Sequence, residues 1–189
     1  MSLFSAPILV VDTETTGFPT QPWAAVVDLA AVRVEPDGTL GPSFSCLIRP
    51  EVLDERCTEA LRISGLTPEQ LVEGGVAPGF ARQWWEQWIR EEAQTPFLTA
   101  YNVAFDRPML AKMGIEGRWC SCVMLRASDI MGAAGALQRW PSGAYRWPKL
   151  VDAAAFFGVA VEEPAHRALA DAITAARVLV ALKRREGER

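Results

Sequence analysis

The chain has 189 residues, of which 50% are apolar and 22% charged, and its net charge is −4. That composition fits one globular domain, residues 1–189, burying roughly 70% of the surface its unfolded form exposes. It excludes a disordered chain, a disulfide scaffold and a protein that grips polyanions by charge neutralisation alone, and no apolar run approaches the about 18 residues of a membrane span.

The first residues, Met1-Ser2-Leu3-Phe4-Ser5-Ala6-Pro7, have no basic region and no long apolar stretch, so no secretory signal is expected. Pro7-Ile8-Leu9-Val10-Val11 is β-branched and predicts a buried strand ending at Asp12. Ala24 to Glu35 predicts a second strand, with Asp37-Gly38 as a turn signal after it, and Phe44 to Ile48 a third. Short connections make these three an antiparallel meander. Asp54 to Arg62 and Thr67 to Val72 predict short helices, the second opened by an N-cap Thr67, Pro68 at N1 and Gln70 as capping-box partner. Phe80 to Glu92 predicts a longer amphipathic helix with Phe80, Trp84 and Trp88 on its core face.

Phe97 to Tyr101 reads as a fourth strand, followed by a helix capped by Asn102 and running to about Met113, with Pro108 tolerated only near its start. Trp119 to Val123 predicts a short fifth strand. Gly132 to Trp147 reads as a loop, and Lys149 to Phe157 and Ala168 to Arg185 as helices. The sum is an α/β architecture, a mixed sheet flanked by helices. The four cysteines, Cys46, Cys57, Cys120 and Cys122, fit no zinc spacing and suggest no bridges, so free thiols in a reducing cytoplasm are expected.

Several acids stand where local structure does not favour them. Asp12 ends a buried strand, and Glu14 two residues on points to the same face. Two like charges so placed repel unless a cation sits between them, and magnesium takes such oxygen ligands. A turn or N-cap role for this acid pair stays open. Asp106 follows the apolar run 97–101 at the start of a helix, where an acid also suits the macrodipole. Asp171 lies among Ala168, Leu169, Ala170, Ala172 and Ile173, a costly place unless exposed or partnered. His166 is the single histidine, placed after Pro164 in the approach to the last helix. An imidazole titrates near neutrality and suits a general base, although a lone surface histidine is common.

Asp12-Thr13-Glu14-Thr15-Thr16-Gly17 resembles the first motif of the DEDDh, DnaQ-like 3′→5′ exonucleases. Tyr101-Asn102-Val103-Ala104-Phe105-Asp106 resembles the second, and His166-Arg167-Ala168-Leu169-Ala170-Asp171 the third. Order and spacing match over roughly residues 7 to 185, and Ile63-Ser64-Gly65-Leu66-Thr67 is similar to a further family segment. Tyr101 and Ser64 stand where the family usually has histidines.

The resemblance implies a ribonuclease H-like fold and two divalent ions, Mg or Mn, held by Asp12, Glu14, Asp106 and Asp171. His166 would accept a proton from the attacking water, and nucleoside 5′-monophosphates would leave from a free 3′ end. Bound metal would make the acidic net charge tolerable on a nucleic-acid enzyme. Thr15, Thr16, Gly17 and Phe18 would face the terminal nucleotide, with Phe18 stacking on a base or packing beside Pro19. Asn102 and Phe105 would shape the second motif.

Single-stranded DNA in proofreading or repair is the favoured substrate, with RNA 3′-end trimming or oligoribonucleotide degradation as the alternative. A polymerase or other repair protein is a candidate partner, although the chain ends without the polymerase-binding tail of the replicase proofreading subunit. A catalytically silent nucleic-acid-binding module is the reading from another class, which the intact acids and His166 oppose. One histidine is too few for a His-rich dinuclear phosphoesterase. Trp140 and Trp147 interleave with Arg139, Arg146 and Lys149 in the 132–147 region, a pattern suited to gripping a single strand, to a packed lid or to a partner contact.

Overall fold

The computed structural model describes residues 4–187. The opening residues Met1, Ser2 and Leu3 of the expected signal-free terminus, and the last two of the expected 1–189 domain, lie outside the described residues. Five strands form one sheet in the order β3-β2-β1-β4-β5. They are β1 (Ile8–Thr15), β2 (Val26–Val34), β3 (Leu40–Leu47), β4 (Phe97–Ala100) and β5 (Arg118–Trp119). The first three are the antiparallel meander, and β4 and β5 add parallel to β1.

Between β3 and β4 lie α1 (Thr58–Ser64), α2 (Pro68–Gly74) and α3 (Pro78–Trp88), the last continued by a wide π turn over Ile89–Ala93. Then follow α4 (Val103–Lys112), α5 (Val123–Ala133), α6 (Leu150–Phe157) and α7 (Ala168–Gly187). Strand alternation divides the core between the two sheet faces. Val10 and Val32 pack with α5, α6 and α7, whereas Leu9, Val11, Leu29 and Ala31 pack with α3 and α4. The Thr67 capping box forms as the sequence predicts, with Gln70 bonding back to the cap.

Three local expectations are corrected. The strand that was to end at Asp12 runs on to Thr15, because β2 keeps pairing with it: Asp12 opposes Ala30 and Glu14 opposes Asp28. The strand expected at 119–123 stops at Trp119, and α5 occupies the sequence from Val123. Its β-branched start and its N-cap Cys122, which makes no side-chain cap bond, conceal a helix from local pattern. In α3 the core face is Ala81, Trp85 and Trp88, and Phe80 and Trp84 are exposed. Both stripes share Trp88, but the small Ala81 lets the helix lie close to the sheet where Phe80 would hold it off.

Trp85 is 3% exposed and meets Phe44 edge-on at 5.5 Å and Trp88 at 5.7 Å. Trp85→Ala should therefore cost about 3–5 kcal/mol. Thermal melts should fall by roughly 6–20 °C. Trp84→Ala, one residue away but 48% exposed, should stay within about 0.5 kcal/mol of the unmodified chain.

Candidate active site

Alternation along β1 sends its acids to one side. Asp12 and Glu14 follow Val10 onto the α7 face, and Thr13 follows Val11 onto the α4 face. Asp171, in the first turn of α7, meets the first pair: Asp12, Glu14 and Asp171 each offer a carboxylate oxygen, all within 4.8 Å of one another. Asp106 arrives from the other side. Pairing of β1 with β4 ends at Val11 and Ala100, so the edge of β1 beyond that point is open to the first turn of α4. Asp106 is buried there and accepts the Thr13 hydroxyl at 2.8 Å.

Few cations offset this charge. Burial, and then the negative charges of Asp106, Glu14, Asp171 and Asp28, hold Asp12 well above the usual carboxylate range. Burial, then Asp171, Asp28 and Asp106, push Glu14 up to about 7, against a pull downward from Arg167. Burial likewise pushes Asp106 up to about 7, against the hydrogen bonding from Thr13 that favours its charged form. Asp171 is raised by burial and drawn back by the nearby His166. Four converging carboxylates with all-oxygen donors form a set that suits hard divalent cations.

His166 is exposed, has the left-handed backbone φ of 60°, and gives its backbone N–H to Asp171. The approach to α7 is pinned by a residue that the sequence reading passed over. Asp28 is 1% exposed, and its Oδ2 accepts Arg167 Nε at 2.9 Å. It sits across the ladder from Glu14, so one ion pair ties the His166 segment to the strand beside the acids. An acid inside the apolar run Val26-Val27-Asp28-Leu29-Ala30 was the signal for it.

Beside Glu14 opens a cavity of about 490 Å³. Thr15, Thr16, Gly17, Phe18 and Phe105 line it, as does Ile63 of the fourth family-like segment, together with Gln21, Trp23 and Arg56, which the motifs did not indicate. Phe18 and Phe105 meet edge to face at 6.4 Å, and Arg56 lies over the Trp23 ring at 5.2 Å. Thr16 contributes chiefly to shape: it is buried, and its backbone N–H and hydroxyl are both engaged by Ala25. A Cβ on Gly17 would lie 2.3 Å from the Gln21 side chain and 2.8 Å from Trp23, so any larger residue would have to displace both. Asn102 does not line the cavity; its carbonyl starts α4 by accepting Phe105 and Asp106 N–H. Tyr101 and Ser64, the two departures from the family pattern, face inward: Tyr101 donates to the Pro148 carbonyl at 2.9 Å and Ser64 to the Leu61 carbonyl at 3.2 Å.

Two outcomes follow. In EDTA, Glu14 and Asp106 have folded pKa values above those of unfolded carboxyls, so the folded state binds more protons between about pH 4 and 7 and its stability falls as pH rises through that window. Denaturant unfolding should register a loss of up to about 5 kcal/mol from pH 5 to 8, half from each carboxyl, and Asp106→Asn should roughly halve that slope. Asp28→Ala strands Arg167 and should cost about 2–4 kcal/mol by the same measurement, whereas Asp28→Asn retains an acceptor and should lose less.

Comparison with known proteins agrees with this geometry. The family model described as Exonuclease (RNase_T) matches residues 9–179. An uncharacterized exonuclease of Escherichia phage 186, CP81, is 30% identical over 179 residues, covering 86% of this chain and 81% of its own. The crystal structure of cell-death related nuclease 4 (CRN-4) superposes with a TM-score of 0.70 at 14% identity over 96% of this chain. E. coli exonuclease I in complex with a dA16 oligonucleotide gives 0.71 at 19% identity over 97%. The chain spans 64% of the first structure's length and 42% of the second's. A ribonuclease H-like sheet and an exonuclease domain over most of its length make this chain a member of the DnaQ-like exonuclease family and a metal-dependent nuclease.

Proposed function

We propose that the chain is a 3′→5′ exonuclease that removes nucleoside 5′-monophosphates from single-stranded DNA. The observation that carries this reading is the meeting of Asp12, Glu14 and Asp171 within 4.8 Å, with Asp106 adjoining, beside a cavity floored by Thr15 to Phe18. The donor set fits divalent ions, and Asp12, Glu14, Asp106 and Asp171 would hold them. Mg²⁺ or Mn²⁺ bound there supplies the positive charge that a phosphodiester needs in transit and makes water more acidic.

The chain's own groups do the rest. His166, exposed beside Asp171, accepts the proton of the attacking water at its imidazole. Asp28 and Arg167 hold the segment that carries it. Phe18 and Phe105 offer ring faces and edges to the terminal base. Polarity is supported by the family membership, and the DNA preference by the oligonucleotide bound to E. coli exonuclease I. Work beside a polymerase or repair protein in the cytoplasm belongs to the same proposal. Free thiols at Cys46 and Cys57 accord with it, and among the described residues no helix is long and apolar enough to cross a membrane.

The test is a 5′-labelled single strand, as DNA and as RNA, with Mg²⁺, Mn²⁺ or EDTA. A ladder shortening from the 3′ end is expected, faster on DNA, absent in EDTA and reduced at least about 1000-fold in an Asp12→Ala, Glu14→Ala variant. Release of the labelled 5′ nucleotide first would reverse the polarity, and faster loss of RNA would reassign the substrate.

A further inference from the structure

The segment 132–147 is not a plain loop. Residues 138–146 close a hairpin: Trp140 N–H donates to Ala144 O at 2.7 Å, Arg146 N–H to Gln138 O at 2.8 Å, and Gly143 N–H to Trp140 O at 2.9 Å. Arg139 stacks on the Tyr145 ring at 3.9 Å and donates to its hydroxyl at 2.6 Å. The hairpin is seated on α5, where a Cβ on Gly132 would lie 2.2 Å from the Tyr145 ring and where Ser128 donates to Arg146 O at 3.2 Å. Its foot, Pro148, takes the Tyr101 hydroxyl. Tyr101 follows the last residue of β4, and β4 runs parallel to β1, so the foot stands at the same end of the sheet as the acids of β1.

Its surface chemistry is one-sided. From Asp129 to Asp152 the intervening chain carries Arg139, Arg146 and Lys149 and no acid, in a protein of net charge −4. Trp140 is 42% exposed, with Arg146 over its ring at 4.9 Å, and Trp147 is 59% exposed. Both indoles stay open to solvent on a polar hairpin. A packed lid would bury them.

We propose that this hairpin is the docking surface for the single strand that leads to the acidic site, with bases stacking on Trp140 and Trp147 and phosphates meeting Arg146 and Lys149. The proposal rests on the nuclease reading above and extends it from the cut end to the upstream strand. Alternating rings and cations match a polyanion that also has π faces; an acidic peptide would match the charge alone.

The test uses the full chain and a Trp147→Ala, Arg146→Gln, Lys149→Gln variant, which keeps the Arg139–Tyr145 pair that closes the hairpin. Fluorescein-labelled dT12 is titrated by anisotropy in EDTA, where no cutting occurs, and dT2 and dT12 are hydrolysed with Mg²⁺. The dT12 Kd should rise at least about tenfold, and the log–log salt slope should become shallower by about 1.4, two phosphate contacts' worth. Turnover of dT2, whose single phosphodiester is taken up by the acidic site itself, should stay within about twofold.

Unchanged dT12 affinity would overturn the proposal. So would equal losses on dT2 and dT12, which would mean that the hairpin supports the site and not the strand. A twelve-residue glutamate peptide that binds the hairpin uncontested by dT12 would assign it to a protein partner instead. Failure of the unmodified chain to cut either oligonucleotide would count against the nuclease reading, and the anisotropy would still decide the hairpin.

Discussion

The mutual repulsion of carboxylates is the constraint on which this molecule is built. Asp12, Glu14 and Asp171 share one small volume, and Asp106 adds its charge from the opposite side of β1. Left to themselves these groups would separate or take up protons. They remain together because each is fixed to a different rigid element. Two ride on a strand paired on both sides over Leu9 to Val11, one on the first turn of the longest helix, and one on the first turn of α4. The apolar layers on either face of the sheet supply that rigidity, so the core holds together what electrostatics would drive apart.

The two faces divide the labour. On the α7 side, alanines dominate: Ala168, Ala172, Ala175 and Ala176 are all fully buried, which lets α7 lie close to the sheet and brings Asp171 within reach of β1. On the other side the aromatic trio Phe44, Trp85 and Trp88 fills volume at a distance from the acids. The small residues of α7 set how closely Asp171 approaches β1, and the aromatic trio fills the opposite face.

Much of this was legible in the chain because its signals are local. The meander and the capping box at Thr67 each depend on nearby residues, and both took the expected form. What stayed hidden depends on distant partners. The extension of β1 through Asp-Thr-Glu-Thr is imposed by β2, not by the propensity of those residues. Asp28 reads as one polar residue in a strand until Arg167, 139 positions away, supplies its charge partner. Helix α3 offered two apolar stripes sharing Trp88, and only the close approach of Ala81 to the sheet decides between them. For the acids and His166 the local signal gave position; the roles given to them rest on the proposal above.

The backbone at His166 carries a consequence of its own. A φ of 60° suits glycine, and it costs any residue with a β-carbon, histidine included, on the order of 1 kcal/mol. Selection for foldedness alone would therefore favour glycine at this position. On the role proposed above for His166, stability and chemistry pull in opposite directions at this position. Any programme of thermostabilisation that scores only the folded state would find its improvement at the one imidazole the chain has.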